Sequence, residues 1–164
     1  MRVTTHNTAE TIELGKRFVR GLRGGEVVLL IGDLGAGKTT FVKGVAKALG
    51  VKRTVTSPTF VLMKVYEVKS QKSKVKSPSN PCSPALSPAP PRCAVKNLVH
   101  IDTYRGLSIA DLENVGALEY FGRNDTICFV EWGEGLEDYL RARKIRTTVV
   151  KIKNIDSETR EIII

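Results

Sequence analysis

Hydrophobic positions along the chain fall into two periods. Leu14, Phe18 and Leu22 recur at i, i+4, i+8 and predict a first helix. Asn7 with Glu10 three residues on opens it, and Gly24-Gly25 closes it. Val27-Val28-Leu29-Leu30-Ile31 is a continuous apolar run and reads as a buried strand. Phe41, Val45, Ala48 and Leu49 return to helical spacing, with Gly50 at the C-cap end. Thr54 to Val68 alternates and reads as extended, with Ser57-Pro58-Thr59 as a bend near its start. Leu98-Val99-His100-Ile101-Asp102 and Thr126-Ile127-Cys128-Phe129-Val130-Glu131 are two further apolar strands, each ending in an acid. Ser108 and Asp111 cap a helix predicted to reach about Phe121, and Glu134 to Arg143 predicts a short one. Residues 147–153 and 160–164 read as a closing strand pair. Strands alternating with helices are the pattern of an α/β fold.

Residues 69–97 break both periods. Six of the seven prolines fall there, with many serines and almost no large apolar side chain. Such a stretch cannot bury enough surface to offset its ordering entropy. It reads as a disordered, basic, Ser/Pro-rich insertion in a single domain spanning 1–164. It holds Lys69, Lys72, Lys74, Lys76, Arg92 and Lys96 and no acid, so it contributes +6 of the net charge of +9. Only +3 belongs to the rest, which weakens the inference from basicity to nucleic acid. At 41% hydrophobic and 26% charged the chain reads as a globular, cytoplasmic protein with no membrane span or signal peptide. Cys82, Cys93 and Cys128 form neither a disulfide framework nor a zinc pattern. Cys128 reads as a small buried hydrophobe, and His100 as a core histidine.

Gly32-Asp33-Leu34-Gly35-Ala36-Gly37-Lys38-Thr39 matches G-x-x-x-x-G-K-[ST], and it stands between a strand and a helix as that motif requires. The glycines let the backbone turn and approach an anion. The amides at the helix start and the helix dipole then favour phosphate. Lys38 supplies charge for the β- and γ-phosphates, and the Thr39 hydroxyl is suited to Mg²⁺. Thr40 either reaches the α-phosphate or faces the helix surface. A nucleotide site of this kind needs a carboxylate near the metal, and Asp102 and Glu131 stand at strand ends where one belongs. Each serves directly or through water. Trp132 either fills the core at the sheet edge or borders the nucleotide.

The order of four segments resembles the TsaE (YjeE) family closely. These are the loop Gly32–Phe41, Ser57-Pro58-Thr59-Phe60, His100-Ile101-Asp102-Thr103-Tyr104-Arg105 and Val130-Glu131-Trp132. The resemblance covers nearly the whole chain outside 69–97. It implies a P-loop NTPase-like three-layer sandwich whose mixed, mostly parallel sheet is flanked by helices. It implies an ATP- and Mg²⁺-dependent ATPase of tRNA threonylcarbamoyladenosine formation, a weak hydrolase that assembles and resets the TsaB–TsaD complex. Contact with tRNA would be indirect, through that complex. Leu34, Gly35, Ala36, Gly37, Lys38, Thr39 and Thr40 would hold the phosphates. Thr39 and Glu131 would bind Mg²⁺, with Asp102 beside the metal or positioning water. Lys38, Asp102 and Glu131 would be the catalytic set. Ser57 and Thr59 would form a switch near the γ-phosphate. Thr8, or else Thr11, would approach the base, as would Arg160, and the segment from Trp132 would line the nucleotide. The insertion departs from the family pattern and leaves its neighbouring partner surface open. Two other classes compete: a small-molecule kinase, and a nucleic-acid binder driven by the basic loop.

Overall fold

The computed structural model describes residues 1–58, 62–68, 95–103, 106 and 108–164. The expected contact at Thr59 and the stretch 69–94 lie outside the described residues.

One seven-stranded sheet organises the chain. Its strands are β1 (Arg2–Thr5), β2 (Glu26–Ile31), β3 (Met63–Glu67), β4 (Asn97–Asp102), β5 (Thr126–Glu131), β6 (Arg146–Asn154) and β7 (Arg160–Ile163). The helices are α1 (Thr8–Phe18), α2 (Lys38–Ala48), α3 (Ile109–Asn114) and α4 (Glu137–Ala142). Strand order is β1-β7-β6-β2-β5-β4-β3. The middle four strands are parallel, while β1 on β7, β7 on β6 and β3 on β4 are antiparallel. This is the mixed, mostly parallel sheet that the family resemblance implies.

Side chains alternate across the pleat, so each central strand feeds two cores. Val28, Leu30, Phe129 and Leu98 pack with Leu14, Phe41, Val42 and Val45 of α1 and α2. Val27, Leu29, Val99, Ile101 and Val130 pack with Leu112 of α3 and Leu140 of α4. The result is three layers. Burial on both faces explains why β2, β4 and β5 read as unbroken apolar runs.

Caps set the helix limits. The Asn7 side chain accepts from the Glu10 N–H at 2.9 Å, while Glu10 accepts from the His6 N–H at 2.8 Å. Ser108 and Asp111 form a reciprocal capping box at α3. At the end of α2, Val51 N–H donates to Ala46 O and Gly50 N–H to Lys47 O, satisfying carbonyls that the helix leaves open. Helices α1 and α2 approach through glycines: a Cβ on Gly44 would stand 2.1 Å from Ile12 O, and one on Gly15 would stand 2.3 Å from Phe41 O.

Several boundaries differ from expectation. Strand β1 is absent from the hydrophobic pattern, because Arg2-Val3-Thr4-Thr5 has one apolar residue and gains its partner from β7 at the far end of the chain. Helix α1 passes into a 3-10 turn at Val19–Gly21, before the Gly24-Gly25 pair. Helix α3 stops at Asn114, and Gly116, at φ 71, separates it from a 3-10 turn at Ala117–Tyr120. Helix α4 begins at Glu137, later than Glu134. Among the described residues of the extended run 54–68, Met63–Glu67 forms a strand, while 54–58 do not. The boundary of the insertion at 97 is also corrected. Val95 is buried and β4 starts at Asn97, where its neighbour Lys96 donates to Asp125 O at 2.7 Å.

Candidate functional site

Strand β2 runs buried to Leu30, and the chain then leaves the sheet through Gly32–Gly37 before α2 begins at Lys38. Gly37 carries the turn at φ 104, a conformation that L side chains rarely adopt. The first amides of a helix have no partner within it, which suits them to an anion. Ala36 N–H closes the loop onto Asp33 O at 3.1 Å.

Two clefts meet at this loop. One, of about 350 Å³, is lined by Leu34, Gly35, Ala36, Gly37, Lys38, Thr39 and Thr40 with Ser57, Asp102, Glu131 and Trp132. The other, of about 550 Å³, brings Thr8 and Arg160 together with Ser157 and Glu158. Gly35, Gly37 and Thr40 line both clefts. Every described residue expected at the site from sequence therefore lines one cleft or the other. Thr11 is also in the second wall, but it is 2% exposed and its hydroxyl meets Thr5 Oγ1 at 2.9 Å. Thr8 is the exposed one.

Register explains how the acids converge. Asp102 and Glu131 are paired residues on the parallel neighbours β4 and β5. Both share the parity of Leu98 and Phe129, so they fall on the face that α2 covers. Thr39, in the first turn of α2, donates to Glu131 Oε1 at 2.7 Å. Giving its proton to the carboxylate leaves the hydroxyl lone pairs for a cation. Asp102 Oδ2 accepts from Ser57 Oγ at 2.8 Å.

The donors are oxygens, which suits a hard cation such as Mg²⁺. Among the described residues no cluster of three or more His, Cys, Asp or Glu could hold a metal ion. A few protein oxygens of this kind fit Mg²⁺ that shares its shell with phosphate and water, as it does in nucleotide sites.

Lys38 is 4% exposed. Its Nζ donates to Gly32 O at 2.5 Å and Asp33 O at 2.9 Å, and lies 3.7 Å from the Trp132 ring centroid. Burial pulls its ammonium below the usual lysine range, and the charges of Glu131, Asp102, Glu134 and Asp33 push back. Trp132 reaches that position through a left-handed backbone at φ 61. Its N–H donates to Leu30 O at 2.9 Å and its carbonyl accepts from Thr103 Oγ1 at 2.6 Å. The tryptophan is half-buried and lines the cleft.

Arg160 does more than line the cleft. Its guanidinium bonds Ala36 O at 3.1 Å, Asp156 O and Thr159 O at 3.0 Å and Ser157 O at 3.2 Å. Those carbonyls tie β7 and its turn to the phosphate loop, so the group braces the cleft wall as well as lining it. His100 also departs from a plain core residue. It is fully buried, and its Nε2 lies 2.8 Å from Glu131 Oε1. The parity of His100 with Asp102 was the sequence signal for that contact. Thr103, Ser157 and Glu158 carried no comparable signal.

This chain is similar to known proteins over most of its length. The family model described as "Threonylcarbamoyl adenosine biosynthesis protein TsaE" matches residues 5–162. A tRNA threonylcarbamoyladenosine biosynthesis protein TsaE from Streptomyces coelicolor is 38% identical over 141 residues, spanning 84% of this chain and 76% of that protein. The Bacillus subtilis protein of the same name is 34% identical over 158 residues, spanning 96% and 80%. The crystal structure of Bacillus subtilis YdiB superposes with a TM-score of 0.59 at 28% identity, covering 99% of this chain and 82% of that one.

Proposed function

The chain belongs to the TsaE family of tRNA threonylcarbamoyladenosine biosynthesis, and from that membership we propose that it is a Mg²⁺-dependent ATPase of the cytoplasm that assembles and resets the TsaB–TsaD complex. One observation carries the reading. The Thr39 hydroxyl and the Glu131 carboxylate, separated by 92 residues, are bonded to each other at the mouth of a strand–loop–helix anion site. A buried carboxylate and a helix-start hydroxyl in contact are what a metal–phosphate site needs.

The amides from Leu34 to Thr39 bind the phosphates, and Lys38 exchanges its loop carbonyls for phosphate oxygens. Thr39 and Glu131 hold Mg²⁺, with Asp102 beside them as a ligand or as the group that orients water. Bound Mg²⁺ neutralises phosphate charge and polarises the terminal phosphoryl group. Ser57, held to Asp102 at 2.8 Å, is the group that would feel a change around the γ-phosphate. Thr8 and the braced Arg160 flank the cleft for ribose and base. Trp132 closes the phosphate side. Contact with tRNA runs through the partner complex. Among the described residues no helix is long and apolar enough to cross a membrane.

Reconstitution with TsaB, TsaD and tRNA tests the proposal. Modified tRNA is expected to accumulate over several turnovers only when this chain and hydrolysable ATP are both present. Equal accumulation without the chain, or with a non-hydrolysable analogue, overturns the assembly role. Detection of a phosphorylated small acceptor in place of inorganic phosphate would turn the reading to a kinase.

A further inference from the structure

His100 sits in the middle of β4, between Val99 and Ile101, with no exposed surface. Its strand neighbour on β5 is Phe129, and Glu131 is the diagonal residue on the same face. Nε2 lies 2.8 Å from Glu131 Oε1. An ionised carboxylate only accepts, so Nε2 carries the hydrogen. The other ring nitrogen, Nδ1, has no hydrogen-bond partner among the described residues. Burying an imidazole with one atom unmet is unfavourable, and an aliphatic side chain in the same place would avoid it. Among the described residues, the ring's one hydrogen bond goes to the carboxylate that Thr39 also reaches.

Glu131 Oε1 therefore accepts twice, from Thr39 Oγ1 at 2.7 Å and from His100 Nε2 at 2.8 Å. The two donors come from different layers, one from α2 and one from β4. Two donors on one oxygen restrict the carboxylate, and Glu131 lines the cleft beside the phosphate-loop motif. Thr103 fixes the base of the same residue, with its N–H and Oγ1 donating to Glu131 O at 3.1 and 3.0 Å.

We infer that His100 is a positioning residue for the metal-binding carboxylate: its Nε2–H holds Glu131 so that Oε2 meets the cation. This inference rests on the nucleotide–metal reading of the site. Partners behind metal-binding carboxylates and imidazoles typically change metal affinity by about 10- to 100-fold when removed. Leucine at 100 fills the space without the hydrogen bond. Glutamine restores an N–H near the position of Nε2.

The test titrates Mg²⁺ against nucleotide binding, read by a fluorescent ATP analogue, in wild type, His100→Leu and His100→Gln. His100→Leu is expected to raise the Mg²⁺ midpoint by about 10-fold or more while affinity for the nucleotide in excess chelator stays within about twofold. His100→Gln is expected to recover most of the loss. A wild-type Mg²⁺ curve in His100→Leu overturns the inference, as does a glutamine variant no better than leucine or an equal loss in chelator. A wild-type protein that binds nucleotide with no Mg²⁺ dependence sinks the underlying reading instead, and the inference with it. If His100→Leu fails to fold, wild type alone decides through its ¹⁵N-histidine spectrum. With only two histidines to assign, the buried ring's Nε2 resonance is expected to shift when Mg²⁺ and a non-hydrolysable ATP analogue are added. An Nε2 resonance that moves no more with metal than without it overturns the inference.

Discussion

From Leu98 to Asp102, strand β4 exposes almost nothing to solvent, whereas Arg2 and Thr4 of β1 stand in water at the far edge of the same sheet. The parallel centre is covered by helices on both faces. There a carboxylate such as Glu131 persists only because Thr39 and His100 bond it. At the antiparallel rim, Arg160 keeps its charge near water and spends its donors on loop carbonyls. In the proposed reading the buried centre supplies the metal and phosphate chemistry, and the rim frames the rest of the ligand. What a polar side chain contributes thus depends on the layer that covers it.

Substitutions at the two regions should separate these roles. The largest effect is expected at Lys38, where Lys38→Ala weakens ATP binding at least about 100-fold, or roughly 2.7 kcal/mol. Calorimetric titration measures it, and unchanged affinity would place the phosphates elsewhere. Next, Glu131→Ala should abolish the magnesium-dependent share of binding and cut turnover by about 10- to 100-fold. It should also cost about 1–3 kcal/mol of stability, because it leaves the buried His100 donor and the part-buried Thr39 hydroxyl unpaired. A magnesium titration and a urea melt on one preparation check both effects. At the rim, Arg160→Ala should lower affinity about 10-fold while leaving the magnesium midpoint in place, because it loosens the loop brace without touching the carboxylates. A shifted midpoint would erase the distinction between centre and rim.

Two smaller effects concern stability. Burial pushes the Cys128 thiol up to about 12, from an ordinary 9.0. The folded protein therefore keeps a proton that the unfolded chain loses. The contribution is fully present below about pH 9 and is lost as pH rises toward 12, by at most about 1.4 kcal/mol per pH unit. Urea midpoints at pH 8 and 10 should fall less steeply in Cys128→Ala than in wild type. The smallest change is expected for Arg2→Ala. Its ion pair with Glu161 spans 3.4 Å, with the arginine side chain 69% exposed. The loss should stay under about 0.5 kcal/mol in thermal melts.

The contrast between centre and rim also governed what could be read in advance. Strands β2, β4 and β5 are visible as apolar runs because both of their faces are covered. Strand β1 has one apolar residue and is stabilised by a partner some 160 positions away, so local periodicity carries no trace of it. The extended run 54–68 alternates along its length, yet among its described residues only Met63–Glu67 finds a strand neighbour, in β4. At the site, Lys38, Thr39, Asp102 and Glu131 were readable from residue type and their place after strands. The brace role of Arg160 was not, since its acceptors are main-chain carbonyls that leave no mark in side-chain identity.

By itself the sequence determined the glycine-rich loop between strand and helix, the central apolar strands, and the family. The loop and the strands rest on a contiguous motif and on local periodicity, physics written in neighbouring residues, and the family on the order of four short motifs. Only the tertiary structure decided that Thr39, His100 and Glu131 share one carboxylate oxygen, and that Lys38 lies between loop carbonyls and the Trp132 ring. Those contacts depend on strand order and register, which long-range pairing fixes and no single segment encodes.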